Sequence, residues 1–334
     1  MRVYYPMKEL ISNFPTQVLE AIQIGKKASA IVKIGKYNKV LISGLGGSGI
    51  GASIVADYCF DILSVPLVVN KGYFIPKNVD AETLFIACSY SGNTEETLHA
   101  AAEAKKRKAS IVCITSGGLL ESLAKKHKLP LLSIPPGMPP RSCLGYSMVQ
   151  LLFILKHSGV LKSHFEKELM DGLTLIAKEN KNIHKEASSI AKKLLNKFVA
   201  IYANIGYEGL AESDTRQQLN ENSKVLAWNN VIPEMTHNEI VGWKKKQEEV
   251  VVLFCYGKED YAKNIKRLQY LKKVIKKYTS SSHDIIIKGN SFWQKALYFI
   301  HLSDWVSVYL ADLNGNSTLE VKVIDQLKKE MSLK

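Results

Sequence analysis

Two runs rich in glycine and hydroxyl side chains are the first places in this 334-residue chain where chemistry could be done. Gly44-Leu45-Gly46-Gly47-Ser48-Gly49 follows the β-rich run Lys39 to Ser43 and opens a helical pattern at about Ser48. Ser89-Tyr90-Ser91-Gly92-Asn93-Thr94 follows Thr83 to Cys88 and opens another, with Glu95 and Glu96 in its first turn. Free backbone N–H groups at a helix start attract an anion. Ser89, Ser91 and Thr94 add three hydroxyl donors of the kind a phosphate monoester takes up. The first loop also spells G-x-G-x-x-G through Gly44, Gly46 and Gly49. A dinucleotide site would place an acid about 20 residues further on to hold a ribose hydroxyl. The second strand ends in Asn70 and Lys71 instead, and no lysine follows the last glycine as a Walker loop requires. What remains is an anion cradle or a tight strand-to-helix turn, and for Thr94 a helix cap compatible with either.

Three further residues could react. Glu221 stands among Asn220, Asn222 and Ser223 at the end of a helical pattern. It is either a general base held by amides or an ordinary exposed glutamate. His237, in Thr236-His237-Asn238-Glu239, has acidic and amide neighbours that could fix its tautomer, although a lone histidine is more often structural. Arg141 follows Pro139 and Pro140 with no helical ion-pair partner in reach of sequence, so its guanidinium could steady a developing oxyanion. His237 and Glu239 do not have metal-ligand spacing and no cysteine is near them. No metal and no cofactor are expected.

Elements of two kinds must position these residues. In the first half, strands at Lys39 to Ser43, Pro66 to Val69, Thr83 to Cys88, Ser110 to Thr115 and Leu129 to Ile134 alternate with helical patterns. In the second, Phe198 to Ala203, Val250 to Phe254 and Asp284 to Ile287 do the same. Such alternation predicts an α/β protein with two mainly parallel sheets flanked by helices. A single helical stretch from about Tyr146 to Glu179 is expected between them, and a last helix from about Thr318 to Met331. The domains are taken as 1–160 and 161–334. Two glycine-rich strand-end loops in one sheet should converge outside its carboxyl edge.

Composition narrows the class. The chain is 46% apolar and 23% charged, as ordinary globular proteins are. The most apolar stretch, Ala296 to Leu310, is broken by His301 and Asp304, so no membrane helix is expected. The start, MRVYYPMKEL, lacks the apolar core of a secretory signal. Five cysteines, an odd number without a CxxC pair, read as reduced thiols of a cytoplasmic protein. With 45 basic and 31 acidic residues the formal charge is +14. The lysines fall on helix faces without interleaved aromatics, which argues against nucleic acid and fits the steering of a small anion.

These motifs resemble a known family. GLGGSGIG and SYSGNTEET resemble the two phosphate-binding loops of the sugar isomerase (SIS) domain. MPPRSCLGY, Met138 to Tyr146, resembles the proline-arginine signature of the bifunctional phosphoglucose/phosphomannose isomerases. LNENSKVLAWNNVIPEMTHNEIVGW, Leu219 to Trp243, resembles their catalytic segment, and the likeness covers nearly the whole chain. It implies two SIS-type domains and an aldose–ketose isomerase that links glucose 6-phosphate, and mannose 6-phosphate, to fructose 6-phosphate through a cis-enediol. By this resemblance Glu221 is the base, His237 promotes ring opening and Arg141 supports the enediolate. Gly47, Ser48, Ser89, Ser91 and Thr94 would hold the phosphate. A lysine of the last helix would assist ring opening; Lys322, Lys328 and Lys329 are the candidates, with Lys328 in IDQLK taken first. The family also implies a homodimer in which His237 is the residue lent to the neighbouring site. Two departures stand out. Thr236 replaces a frequent Asn, and Ser142-Cys143 replaces an alanine-rich pair, a change that could bear on mannose 6-phosphate. The rival reading is a sugar-phosphate sensor without turnover, which would have no reason to keep Glu221 together with His237.

Overall fold

Apolar side chains alternate between the two faces of every central strand, and that alternation sets the layers. A computed structural model describes residues 6–332, so the first five residues of the stretch read for a signal lie outside it. Helices α1 (Met7–Ser12) and α2 (Phe14–Lys27) precede the first sheet. Its elements are β1 (Lys39–Ser43), α3 (Gly46–Cys59), β2 (Leu67–Asn70), β3 (Thr83–Cys88), α4 (Glu95–Lys106), β4 (Ser110–Thr115), α5 (Gly118–His127) and β5 (Leu131–Ser133). Two helices, α6 (Leu144–His157) and α7 (Phe165–Leu194), lead to β6 (Phe198–Ala203). A helical stretch follows, with a short α8 (Arg216–Gln218) between π-helical segments Leu210–Thr215 and Leu219–Ser223. Then come β7 (Ala227–Val231), α9 (Ile232–Met235), β8 (Val250–Tyr256), α10 (Ala262–Ile275), β9 (Ser282–Ile286), α11 (Phe292–Leu313) and α12 (Lys322–Ser332).

Both sheets are parallel throughout, in the orders β2-β1-β3-β4-β5 and β7-β6-β8-β9. Val40, Ile42, Leu84 and Ile86 face a shared central core, while Leu41, Phe85 and Ala87 face α4 and α5 on the outside. The second sheet does likewise: Val199, Ile201 and Ala203 point to the central core, Ala200 and Tyr202 to α10. Helices α2, α3, α6, α7 and α11 fill the space between the sheets. α7 and α11 pair closely because Gly172 has no side chain where Leu297 and the Trp293 carbonyl press in. All five cysteines are buried and unpaired. Among the described residues no helix is long and apolar enough to cross a membrane.

Three elements differ from the expectation. The stretch expected to run unbroken from Tyr146 to Glu179 is two helices: Gly159, at φ +83°, ends α6, and the chain restarts at Phe165. β7 was not foreseen, because AWNNV is a half-exposed edge strand without an apolar alternation. α12 starts four residues later than Thr318, leaving residues 316–318 as a loop whose backbone serves the site described next.

Candidate active site

Two loops meet at the carboxyl edge of the first sheet. β1 lies between β2 and β3, so the chain leaves it in one direction and returns on the other side. The crevice between β1 and β3, where Ser43 stands opposite Ala87, is therefore the switch point at which open α/β sheets bind ligands. The loop after β1 turns through Gly46 at φ +52° into α3, and the loop after β3 turns through Gly92 at φ +68° towards α4. Ser48 Oγ accepts the Tyr90 N–H at 3.1 Å, tying one loop to the other. Ser89 Oγ and Thr94 Oγ1 are 2.9 Å apart, and Ser91 Oγ accepts the Asn93 N–H at 3.2 Å. Ser48 and Ser89 are buried, Thr94 half-buried and Ser91 exposed. Thr94 occupies the cap position of α4, yet its hydroxyl makes no cap bond, and neither α3 nor α4 is capped by a side chain. Two helix N-termini thus keep free N–H groups beside four hydroxyls. Asn70, where a dinucleotide fold would carry its acid, donates instead to the Gly72 carbonyl at 2.7 Å.

Arg141 joins this edge to the second sheet. Its turn, Pro140–Ser142, packs on the start of α3 so closely that a Cβ on Gly47 would stand 2.6 Å from the Pro140 oxygen. Gln17 of α2 holds the turn from behind, donating to the Ser142 carbonyl at 2.7 Å and accepting the Gly145 N–H at 2.8 Å. The guanidinium is buried, and each of its three nitrogens donates one hydrogen bond. Nη1 donates to Glu221 Oε2 at 3.1 Å, Nε to Asn222 Oδ1 at 2.7 Å, and Nη2 to the Thr318 carbonyl. Burial pulls Arg141 below its ordinary pKa and the Glu221 carboxylate opposes that shift. The partner that sequence spacing did not reveal is therefore Glu221. One Glu221 oxygen is held by Arg141 and the side chain stays half-exposed, so a carboxylate is presented to solvent beside the phosphate-type loops.

The segment carrying Glu221 is π-helical, a wound form often found where function needs an irregular turn. Polar groups of α11 hold it there. Asn222 Nδ2 donates to Ser307 Oγ at 2.9 Å and to Gln218 Oε1 at 3.1 Å, and Ser223 Oγ donates to the Ser307 carbonyl at 2.6 Å. Lys224, at φ +57°, donates to the Glu221 carbonyl at 2.7 Å and to the Ser317 carbonyl at 2.5 Å, strapping the loop before α12 onto the base. Gln218, Lys224, Thr318 and the α11 serines were not singled out from sequence. Only the density of amides around Glu221 hinted at such a frame.

Other candidates stand apart. His237 is exposed on the loop after α9 and makes no side-chain hydrogen bond among the described residues. Glu239 accepts from Tyr202, Trp228 and Asn230 at 2.6, 2.9 and 2.7 Å. These three bonds anchor the His237 loop and hold Glu239 within its own half of the molecule. α12 is exposed along its length; Lys328 makes no contact with Arg141 or Glu221, and Lys322 pairs with Glu320 at 3.1 Å. Ser142 Oγ and Cys143 Sγ both donate to the Pro139 carbonyl, within the turn itself. Thr236 likewise donates to the Pro233 carbonyl. The matching crevice of the second sheet, between β6 and β8, is closed by its own chain. Asp260 accepts from Asn204 Nδ2 at 2.6 Å, Tyr207 O–H at 2.9 Å and the Gly257 N–H at 2.9 Å, the donors an anion there would need.

Two parallel α/β sheets, one with hydroxyl-lined loops at its switch point, define a two-domain sugar isomerase (SIS) protein. Residues 33–134 match the SIS domain, and residues 183–331 match the bacterial phospho-glucose isomerase C-terminal SIS domain. The C-terminal domain of glucosamine-fructose-6-phosphate aminotransferase from Francisella tularensis has the same fold, with a TM-score of 0.73 at 18% identity, over 93% of this chain and 97% of that one. The bifunctional phosphoglucose/phosphomannose isomerase of Caldicellulosiruptor bescii is 38% identical, across 98% of this chain and 99% of its own. That of Aquifex aeolicus is 33% identical, across 88% and 91%. The chain belongs to the bifunctional phosphoglucose/phosphomannose isomerase family.

Proposed function

We propose that the protein interconverts glucose 6-phosphate, and mannose 6-phosphate, with fructose 6-phosphate. The observation that carries this reading is the Glu221 carboxylate fixed by Arg141 next to the phosphate-type loops. The loops and the starts of α3 and α4 hold the phosphate through Gly47, Ser48, Ser89, Ser91 and Thr94. Glu221 then removes the proton on C2 of the open aldose and returns it to C1, so the electrons pass through a cis-enediol without a hydride acceptor. Arg141 stabilises the negative charge that builds on oxygen during the transfer. Both C2 epimers give the same enediol, so one base serves both when the C2–C3 bond rotates to present either face to it. The assay is direct: fructose 6-phosphate in heavy water should yield aldose carrying deuterium at C2. Turnover without any deuterium incorporation would point to internal hydride transfer and reject Glu221 as the exchanging base. Binding without turnover would favour a sensor.

The same reading places ring opening on His237 and Lys328, supplied in a homodimer. Two observations support a second copy. His237 is exposed and makes no side-chain hydrogen bond among the described residues, and α12 displays Val323 and Leu327 at 83% and 59% exposure on one helix face. Mixing inactive Glu221→Gln and His237→Ala chains should restore part of the activity. Confirmed subunit exchange without restoration would assign each site to one chain. The boundary between the domains is placed at 160/161, in the turn that separates α6, packed on α2 and α3, from α7, packed on α11.

A further inference from the structure

Behind the Arg141–Glu221 pair lies a buried acid that the proton transfer does not use. Asp304 sits in the middle of α11, one turn before Ser307, and is only 7% exposed. Its Oδ1 accepts from Gln218 Nε2 at 2.5 Å. The same Gln218 amide touches the Arg141 carbonyl at 3.2 Å, and its oxygen accepts from Asn222, which holds Arg141 Nε. Asp304 and Arg141 also line one cavity of ≈ 10 Å³, about the size of a single water site.

We propose that Asp304 positions the Arg141–Glu221 pair through Gln218 and Asn222, and that it does so as the uncharged acid. This rests on the isomerase reading of the site. The surroundings explain the protonation state. α1, α2 and α6 present apolar groups to the cavity, among them Leu10, Phe14 and Leu144, and α8 presents the neutral Gln218. Among the described residues lining the cavity the other charged group is Arg141, whose guanidinium is already bonded to Glu221, Asn222 and Thr318. His301, one turn back on α11, is itself held neutral by burial, its pKa lowered to about 4, and is bonded to Trp305. His184 of α7 lies beyond, against Trp305 and Tyr309. Burial accordingly pushes the Asp304 carboxyl up to about 8, with the Gln218 hydrogen bond pulling the other way.

The uncharged state matters for the base. An ionised Asp304 would be an uncompensated charge in that apolar cavity, and relieving it would displace Gln218 and with it Asn222, which holds Arg141 Nε. A neutral acid keeps Gln218, and through it Asn222 and Arg141, in place. The sign for stability is also fixed. The folded chain holds a proton that the unfolded chain releases near its ordinary value of 3.8, so the Asp304 contribution to stability falls as pH rises from about 4 to about 8.

Asp304→Asn mimics the neutral acid and tests this. The variant should keep kcat within about threefold of wild type at pH 7, because one neutral hydrogen bond replaces another of similar strength. Its alkaline limb of kcat should move to higher pH, and its Tm advantage over wild type should grow between pH 4 and 8. Gln218→Leu should lower kcat about tenfold with KM little changed, because it loosens the base and not the phosphate. A folded Asp304→Asn that is inactive at pH 7, or whose alkaline limb coincides with that of wild type, overturns the proposal. Infrared spectra of wild type labelled with ¹³C-aspartate need no variant. A protonated carboxyl band present at pH 6.5 and lost near pH 8 is expected, and its absence at pH 6.5 overturns the proposal as well. If wild type does not isomerise fructose 6-phosphate, the functional reading fails, while the infrared and Tm results still report on Asp304.

Discussion

Gly47→Ala tests whether the phosphate loop and the base are mechanically joined. Glycine is needed at 47 for closeness and not for an unusual φ, since a Cβ there would lie 2.6 Å from the Pro140 oxygen and 3.0 Å from its carbonyl carbon. Ordinary contact begins at 3.4 Å, so one side must retreat by about 0.8 Å, the kind of overpacking that costs about 1–3 kcal/mol. The start of α3 is the stiffer side. Gly44 already presses on the Cys88 carbonyl and Gly49 on the Gly44 carbonyl, both closer than 3.0 Å for a Cβ. The strain should therefore pass into the Pro140–Ser142 turn and move Arg141. A shift of that size would stretch the 3.1 Å bond to Glu221 to about 3.9 Å, beyond hydrogen-bond reach.

A misplacement of about 1 Å at a reacting group can cost about 10²-fold in rate. The expected outcome is a fall in kcat of that order, measured by coupling fructose 6-phosphate turnover to a glucose 6-phosphate dehydrogenase. Inhibition by inorganic phosphate should change far less, because Ser89, Ser91 and Thr94 are not displaced. Thermal unfolding should show the stability loss separately. A Gly47→Ala enzyme with kcat within about twofold of wild type, or one that loses phosphate affinity while kcat holds, would refute the mechanical link.

Three more outcomes are expected. Glu221→Gln should lose about 10²–10⁴-fold in kcat with little change in KM, the usual contribution of a general base, and near wild-type turnover would remove Glu221 from that role. Thr94→Ala and Ser89→Ala should each raise KM for fructose 6-phosphate by deleting a donor worth about 1.5–3 kcal/mol to a charged group, and a fall in kcat at constant KM would contradict anchoring. Asp260→Ala should destabilise the protein by about 1–3 kcal/mol, because Asn204, Tyr207 and the Gly257 N–H lose their acceptor, and denaturant unfolding measures it.

Local pattern carried the fold and the two glycine- and hydroxyl-rich loops at its switch point. Buried parallel strands such as TLFIAC show themselves as short apolar runs, and glycine with hydroxyl residues at a strand end marks an anion turn wherever it occurs. Long-range pairing was not legible. Arg141 and Glu221 are 80 positions apart, and Arg141 reaches the Thr318 carbonyl across 177. No periodicity connects such residues. β7 escaped notice because AWNNV is a half-exposed edge, and the break at Gly159 is a short gap between two long helical patterns, which read as one. Asp304 was noticed only as an interruption of an apolar stretch. Its meaning lies in what α11 packs against.

The site also explains why one chain carries two similar sheets with different equipment. The first sheet keeps an open switch point, and among the described residues no side chain caps the helix starts there. The second has closed its own switch point with Asp260, so it offers no rival anion site. What it contributes is Glu221, on a π-helical turn braced by α11. The two functional parts are joined where Arg141, carried by the first half, bonds Glu221 and Asn222 of the second. Asp57 of α3 adds a second tie by accepting the Gly209 N–H at 2.7 Å. On the mechanism proposed above, phosphate recognition belongs to one half and proton transfer to the other, with Arg141 as the part that registers them. Substitutions that loosen the contact between the halves should then lower kcat before they raise KM, because the phosphate loops are complete within the first sheet while the base is in place only when the second half is docked.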